Sequence, residues 1–221
     1  MIKSFQIVIP ARLESTRLEK KLLKEINGQS IIERTWKRCL ESAASKVVVA
    51  TDSTEIYDLI VSLGGDCFLS KETHESGTDR IHEFVESSNI SEDSLIINVQ
   101  ADEPLIDINS INELAKFMAS NSYEYVTLCK KLADEEDLDD PNKVKVVFDG
   151  KGKALYFSRS RMLANTKEGT CYHHIGVYGY TAGFLKKFAA AEQTELEKSE
   201  KLEQLRALEN DLSIHVLEVD E

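Results

Sequence analysis

Short β-branched runs alternate with segments of helical period along most of the chain. Gln6-Ile7-Val8-Ile9 predicts a strand, followed by a polar loop from Ala11 to Asn27. Ile31 to Ala43 predicts an amphipathic helix, because Ile32, Trp36, Cys39 and Leu40 recur near helical spacing. Lys46 to Ala50 predicts a second strand, and Ser53-Thr54 a cap for a helix running to about Leu63. Gly64-Gly65 ends that helix, and Cys67-Phe68-Leu69 gives a short third strand. Ser76 to about Ser87 predicts another helix. Leu95 to Val99 is a near-continuous apolar run, the pattern of a strand buried on both faces.

From about Pro141 to Tyr180 the pattern changes. Val144 to Phe148, the turn Asp149-Gly150, and Ala154 to Phe157 predict antiparallel pairing, and His174 to Tyr180 predicts a further strand. Ser199 to Glu209 predicts a charged helix and Ile214 to Val219 a last strand. The rhythm implies one α/β domain over residues 1–221. Its sheet is Rossmann-like and mostly parallel, with a small β-rich subdomain at about 141–180. Ligands of such sheets bind beyond the carboxyl ends of the strands. Three loops leave those ends: Pro10 to Lys21, Thr51-Asp52, and Gln100 to Leu105.

Composition narrows the function. The 221 residues carry a formal net charge of −12, which disfavours nucleic acid as a partner. An acidic protein that binds a nucleotide must gather its basic residues locally and use a metal against phosphate charge. No apolar run approaches a membrane span, and Met1-Ile2-Lys3-Ser4 leads straight into a strand, so neither anchor nor signal peptide is expected. Cys39, Cys67, Cys129 and Cys171 are widely spaced without a CxxC pair, as in a reduced cytosolic protein.

The first loop gathers charge as required: Arg12, Arg17, Lys20 and Lys21, with Ser15 and Thr16, can hold a triphosphate. It is neither a Walker loop nor a glycine fingerprint, which excludes those mechanisms and leaves an NAD-binding protein a poor rival. On spacing alone the loop also reads as solvated basic surface. Asp102, in Asn98-Val-Gln-Ala-Asp-Glu-Pro104, stands where a carboxylate can hold Mg2+ against phosphate oxygens, or simply form a turn before Pro104. Ser76-Gly-Thr-Asp-Arg80 opens a helix whose N-terminus can meet a base or phosphate, or serve only as a first turn. His173, His174 and the tyrosines of Gly176-Val-Tyr-Gly-Tyr180 suit packing as well as ligand binding, and Glu203-Gln204 suit a solvated helix face.

Taken in order, Ile9-Pro-Ala-Arg…Ser-Thr-Arg, Ala50-Thr-Asp, Ser76-Gly-Thr-Asp-Arg, Asn98-Val-Gln-Ala-Asp-Glu-Pro, Ala154-Leu-Tyr-Phe-Ser-Arg-Ser, His174-Ile-Gly-Val-Tyr-Gly-Tyr and Leu202-Glu-Gln-Leu-Arg resemble the 3-deoxy-manno-octulosonate (KDO) cytidylyltransferases over nearly the whole chain. The resemblance implies a sheet of nucleotide-diphospho-sugar transferase type and the reaction CTP + KDO → CMP-KDO + diphosphate in lipopolysaccharide synthesis. It also implies a cytoplasmic homodimer using Mg2+. By that resemblance Arg12, Lys21 and Asp102 are catalytic, and Asp102 is the metal ligand. Pro10, Ala11, Arg12, Ser15, Arg17, Lys21, Ser76, Arg80 and Gln100 serve the nucleotide. Arg159, His174, Tyr178, Glu203 and Gln204 form the sugar-acid pocket. Alternatives within reach are a cytidylyltransferase for amino-KDO or a nonulosonate, or a catalytically weak nucleotide-binding form.

Three positions depart from the family pattern. Glu19-Lys20 stand where Pro-Gly is common, which implies a changed loop shape, and Ala101 replaces a usual Gly. The family continues into a Gly-Val-Asp-Thr-Pro-like turn whose Asp is the second metal carboxylate. Here the sequence reaches Val219-Asp220-Glu221, so the expectation is a truncated or short form with weakened metal binding, Asp220 being the available substitute.

Overall fold

The computed structural model describes residues 4–13, 18–71, 74, 76–132, 136–163 and 171–220. The first half builds a parallel sheet, because each apolar run is followed by a helix that returns the chain to the same edge. Strand β1 (Phe5–Ala11) leads through a 3₁₀ turn at Lys21–Leu23 into a small hairpin, β2 (Glu25–Ile26) and β3 (Gln29–Ser30). Asn27 (φ 52°) and Gly28 (φ 76°) make the tight hairpin turn, which needs two positive φ values in succession. Helix α1 (Ile31–Leu40) starts at Ser30, whose hydroxyl accepts from Glu33 N–H, and is shorter than the predicted Ile31–Ala43. Then come β4 (Lys46–Thr51), α2 (Thr54–Ser62), β5 (Asp66–Leu69), α3 (Gly77–Ser87) and β6 (Leu95–Asn98). Ser53 caps α2 and Ser76 caps α3.

The second half adds α4 (Ile108–Asn121), β7 (Tyr125–Lys131) and α5 (Glu136–Asp139). They are followed by β8 (Lys145–Phe148), β9 (Ala154–Ser158), β10 (Tyr172–Thr181) and α6 (Ala182–Ala189). The predicted helix from Ser199 to Glu209 is instead two: α7 (Glu195–Glu200) and α8 (Gln204–Glu209), broken where Lys201 turns left-handed at φ 55°. β11 (His215–Glu218) closes the chain.

The main sheet has the order β11-β7-β10-β6-β1-β4-β5. β6, β1, β4 and β5 run parallel, as do β7 and β11. β10 enters antiparallel between β6 and β7. The β8–β9 hairpin pairs as its sequence predicts, and β8 continues onto β10, so β8, β9 and β10 are hydrogen-bonded into the same sheet. Two apolar layers cover its faces. One packs Ile7, Ile9, Ile32, Trp36 and Leu114; the other packs Val8, Ile81, Phe84, Phe157 and Leu205. Interdigitated layers of this kind hold the strand ends in register, and the site is built on those ends.

Candidate active site

Where β6 and β10 meet, a cavity of about 980 Å³ opens beyond the carboxyl end of β6. Arg12, Ser76 and Gln100 line it, together with Arg159, His174, Tyr178, Glu203 and Gln204. Residues read as nucleotide-facing and all five read as sugar-facing therefore share one wall-to-wall space. The pairing of β10 with β6 is what joins them, since Tyr178 lies opposite Asn98 across the ladder.

The Arg159 side of the cavity is held by several hydrogen bonds. Arg159 Nε donates to Glu200 O at 3.1 Å and Nη1 to Pro141 O at 3.0 Å, while its backbone N–H donates to Glu200 Oε2 at 3.0 Å. His174 is buried, with Nε2 2.9 Å from Thr127 Oγ1. The Thr127 hydroxyl is spent on Val177 O at 2.9 Å, so His174 Nε2 is the donor. Burial, with neighbouring His173 second, pushes the His174 pKa down to about 3.

Glu203 ends the short turn between α7 and α8, and Gln204 begins α8. That turn is fixed from below by a bidentate pair: Arg206 Nε reaches Glu197 Oε2 at 2.8 Å and Nη2 reaches Oε1 at 2.6 Å, both side chains buried. Thr78 Oγ1 donates to Glu203 Oε2 at 2.9 Å. Burial raises the Glu203 pKa, against hydrogen bonds from Ser76 and Thr78. Three buried polar atoms of cavity-lining residues have no partner among the described residues: Asn98 Oδ1, Glu203 Oε1 and Gln204 Nε2. Buried polar groups are almost always satisfied, so two acceptors and a donor left open here call for a hydroxyl-rich ligand.

The Lys21–Asp102 side is more open. Lys21 Nζ donates to Asp102 Oδ2 at 2.5 Å, and both side chains are solvent-facing. Neither lines the cavity itself. Glu103, beside them, has its pKa raised by burial first and by Asp102 second. Lys20 takes φ 49° and pairs with Glu55 at 2.7 Å, so this loop cation is already engaged and the changed Glu19-Lys20 shape sits in a left-handed residue. Ala101 has no positive φ; it is buried, and its carbonyl accepts from Thr35 Oγ1 at 2.9 Å. Alanine in place of glycine is thus accommodated.

Other predicted residues stand one layer back. Arg80 is 2% exposed and its Nη2 donates to Asp52 Oδ2 at 2.6 Å, because α3 turns this face onto β4 rather than into the cavity. Ala11 is fully buried, and Pro10 packs so close to Gly77 that a Cβ there would lie 3.1 Å from Pro10 Cγ. What Pro10 and Ala11 offer is backbone at the strand end. Ser15 and Arg17 lie outside the described residues. Asp220 follows β11 and its charge reaches Lys131. β11 stands three strand spacings from β6, about 14 Å, so Asp220 and Asp102 leave well-separated strand ends.

Sequence reasoning missed Asn98, Asn142, Lys130 and Glu103 in the cavity wall. Asn98 carried a signal: an amide ending a strand otherwise apolar from Leu95 to Val99.

Among the described residues no three His, Cys, Asp or Glu side chains converge as a metal cluster. Mg2+ does not require one, since it takes one or two carboxylates and completes its shell with phosphate oxygens and water. Asp102, solvent-facing and already holding a cation, fits that role.

The family model described as Cytidylyltransferase matches residues 6–214. The chain is 41% identical to a 3-deoxy-manno-octulosonate cytidylyltransferase 2 of Actinobacillus pleuropneumoniae serotype 5b, over 96% of this chain and 88% of that one. It is likewise 41% identical to the 3-deoxy-manno-octulosonate cytidylyltransferase of Francisella tularensis subsp. novicida, over 96% and 89%. The solved CMP:2-keto-3-deoxy-manno-octonic acid synthetase complexed with CTP superimposes with a TM-score of 0.91 at 33% identity, covering 99% of this chain and 91% of that one. A 4-diphosphocytidyl-2C-methyl-D-erythritol synthase, 17% identical with a TM-score of 0.64 over 99% and 90%, shares the fold.

Proposed function

The chain belongs to the cytidylyltransferase family, and we propose that its cavity is a KDO cytidylyltransferase site with Arg12, Lys21 and Asp102 as the catalytic groups. The protein transfers CMP from CTP to KDO and releases diphosphate. The observation that carries the site assignment is the single cavity shared by Arg12, Ser76 and Gln100 with Arg159, His174, Tyr178, Glu203 and Gln204.

In this reaction the anomeric hydroxyl of KDO attacks the α-phosphorus. The new P–O bond forms as the bond to the β-phosphate bridge breaks and the hydroxyl proton is lost. No protein nucleophile is needed, so the enzyme's work is alignment and charge stabilisation. Arg159, clamped by two carbonyls, presents its remaining N–H groups to the sugar carboxylate, a planar match that lysine lacks. Asn98, Glu203 and Gln204 offer the unpaired atoms that sugar hydroxyls complete. Arg12 and Lys21 neutralise the triphosphate. Asp102 would hold Mg2+, which when bound supplies charge neutralisation at the phosphate oxygens.

A homodimer belongs to the same proposal. β9 pairs with β8 alone among the described residues, and Leu155 on it is 60% exposed, an edge of the kind a second copy covers. So does a cytoplasmic role in lipopolysaccharide synthesis, in keeping with four free cysteines. No helix among the described residues is long and apolar enough to cross a membrane.

The test is diphosphate release from CTP with and without KDO, at excess Mg2+, with amino-KDO and a nonulosonate as competitors for kcat/KM. KDO-dependent release with KDO preferred is expected. Release equal in all three sugars removes the substrate assignment, and no release with any of them removes the enzyme reading.

A further inference from the structure

Lys145 is fully buried in β8, at 0% exposure, where an ordinary lysine is not found. Its Nζ donates to Arg159 O at 2.6 Å and to Asp140 O at 2.8 Å. Both acceptors are neutral carbonyls. The nearby carboxylates are engaged elsewhere: Asp139 takes Arg161 Nε and Nη2 at 3.0 and 2.9 Å, and Asp140 accepts from Asn142 N–H and Nδ2 at 2.8 and 3.0 Å. A buried cation without a carboxylate contact is costly, and a fold keeps one where the charge or its grip has a use.

Its position supplies that use. In the ladder Lys145 stands opposite Ser158 on one side and His173 on the other. It therefore sits one hydrogen bond behind Arg159 while its strand neighbour Val144 and its cross-strand neighbour His173 line the cavity. Arg159 O is pulled by Lys145, Arg159 N–H by Glu200, and the guanidinium by Glu200 O and Pro141 O. Asp140 O, the second Lys145 acceptor, is in the residue before Pro141, so one ammonium ties both the arginine and the loop that aims it.

We infer that Lys145 is a positioning residue for recognition of the sugar acid. It locks the Arg159 backbone to the Asp140-Pro141 loop and adds a second, inner positive charge behind the guanidinium that meets the substrate carboxylate. Burial lowers the Lys145 pKa, opposed by Cys171, Asp140 and Asp139, and Arg159 lowers it further, as two cations sharing one site require. The inference rests on the KDO reading of the cavity and adds to it a residue with no surface at the ligand.

Kinetics on the full chain separate this role from a structural one. Lys145→Met is expected to raise KM for KDO about tenfold, one order of magnitude in apparent affinity. KM for CTP should stay within about twofold and kcat within about threefold, because neither the phosphate loops nor Asp102 depend on Lys145. Lys145→Gln, which keeps a donor for the carbonyls without the charge, should fall between Met and the parent. A KDO KM that does not move, or KM values for CTP and KDO that rise together, overturns the inference. A second readout needs no variant: the Lys145 ammonium resonance in the unaltered protein should shift on adding KDO and stay in place with CTP alone. An ammonium signal indifferent to KDO also overturns it. Failure of the unaltered protein to use KDO sinks the functional reading instead, and the two failures are thereby told apart.

Discussion

Lys21 Nζ lies 2.5 Å from Asp102 Oδ2, so the cation read for the triphosphate and the carboxylate read for the metal are each other's partner in the free protein. The two sit on loops leaving adjacent parallel strands, β1 and β6. Their side chains are 39% and 42% exposed, and an exposed pair of this kind is worth only about 0–1 kcal/mol. On the proposed reading, ligand separates them cheaply: phosphate oxygens take Lys21 and a cation takes Asp102. Until then the pair keeps both groups near the strand ends and prevents like charges from meeting.

Asp102→Ala should accordingly leave the fold intact and remove the chemistry. We expect KDO-dependent diphosphate release to fall at least about a hundredfold, the scale for losing a group that stabilises developing charge. The melting temperature should move by no more than about 2 °C, since the lost pair is at the surface. Activity within tenfold of the parent, measured at saturating substrates, removes Asp102 from the catalytic set.

A buried pair behaves differently. Arg206 and Glu197 are 3% and 7% exposed and bonded twice, with Arg206 also stacked 4.7 Å from the Phe188 ring. Removing Glu197 leaves the buried guanidinium without its bidentate partner, with Asp79 no nearer than 4.0 Å, so Glu197→Leu should cost about 3 kcal/mol in denaturant unfolding. Glu197→Leu with Arg206→Met removes both charges and should recover more than half of that. Additive losses in the double variant would show that the pair is not a unit.

Much of this architecture was legible in the chain, and the gaps have physical causes. β1, β4 and β6 read directly because strands buried on both faces are nearly continuous apolar runs. Helix α4 was readable too, from Asp107 as cap and Ile108, Ile111, Leu114, Ala115 and Met118 at helical spacing, yet its signal was passed over. The insertion of β10 between β6 and β7 was not: nothing local in Tyr172–Thr181 says which strands will flank it. Lys145 misleads outright. Alternation in Val144-Lys145-Val146 puts lysine on a solvent face, and only the two carbonyls that receive its ammonium turn it inward. Arg80, read as a nucleotide contact, is 2% exposed and donates to Asp52. Arg159, His174, Tyr178, Glu203 and Gln204, read together from motifs far apart in the chain, do line one cavity.

His174 makes stability depend on pH. Its pKa is pushed down to about 3 by burial, against an ordinary 6.5 in the unfolded chain. The folded state therefore keeps a neutral ring where the unfolded state takes a proton. This contribution is fully present above about pH 6.5 and is lost as pH falls toward 3, at about 1.4 kcal/mol per pH unit. Between pH 7.5 and 5 the unfolding free energy of the parent should drop about 2 kcal/mol more than that of His174→Asn. Parallel pH profiles for the two proteins would mean that His174 accepts a proton without unfolding.

Gln204→Leu sets stability against function. Gln204 is 2% exposed and its Nε2 is buried without a partner among the described residues, at the wall of the cavity. A buried donor left unsatisfied costs about 1–3 kcal/mol, and a leucine of similar size removes that cost. The variant should therefore melt at the parent temperature or a few degrees above it, unlike most core substitutions of a polar residue. If the orphaned donor exists to meet a sugar oxygen, the same change should raise KM for KDO about tenfold while KM for CTP holds, since the ligand then buries an unpaired acceptor against leucine. A variant that is both less stable and equally active would show that the amide serves the fold alone, and that the open polar atoms around Glu203 are not a substrate imprint.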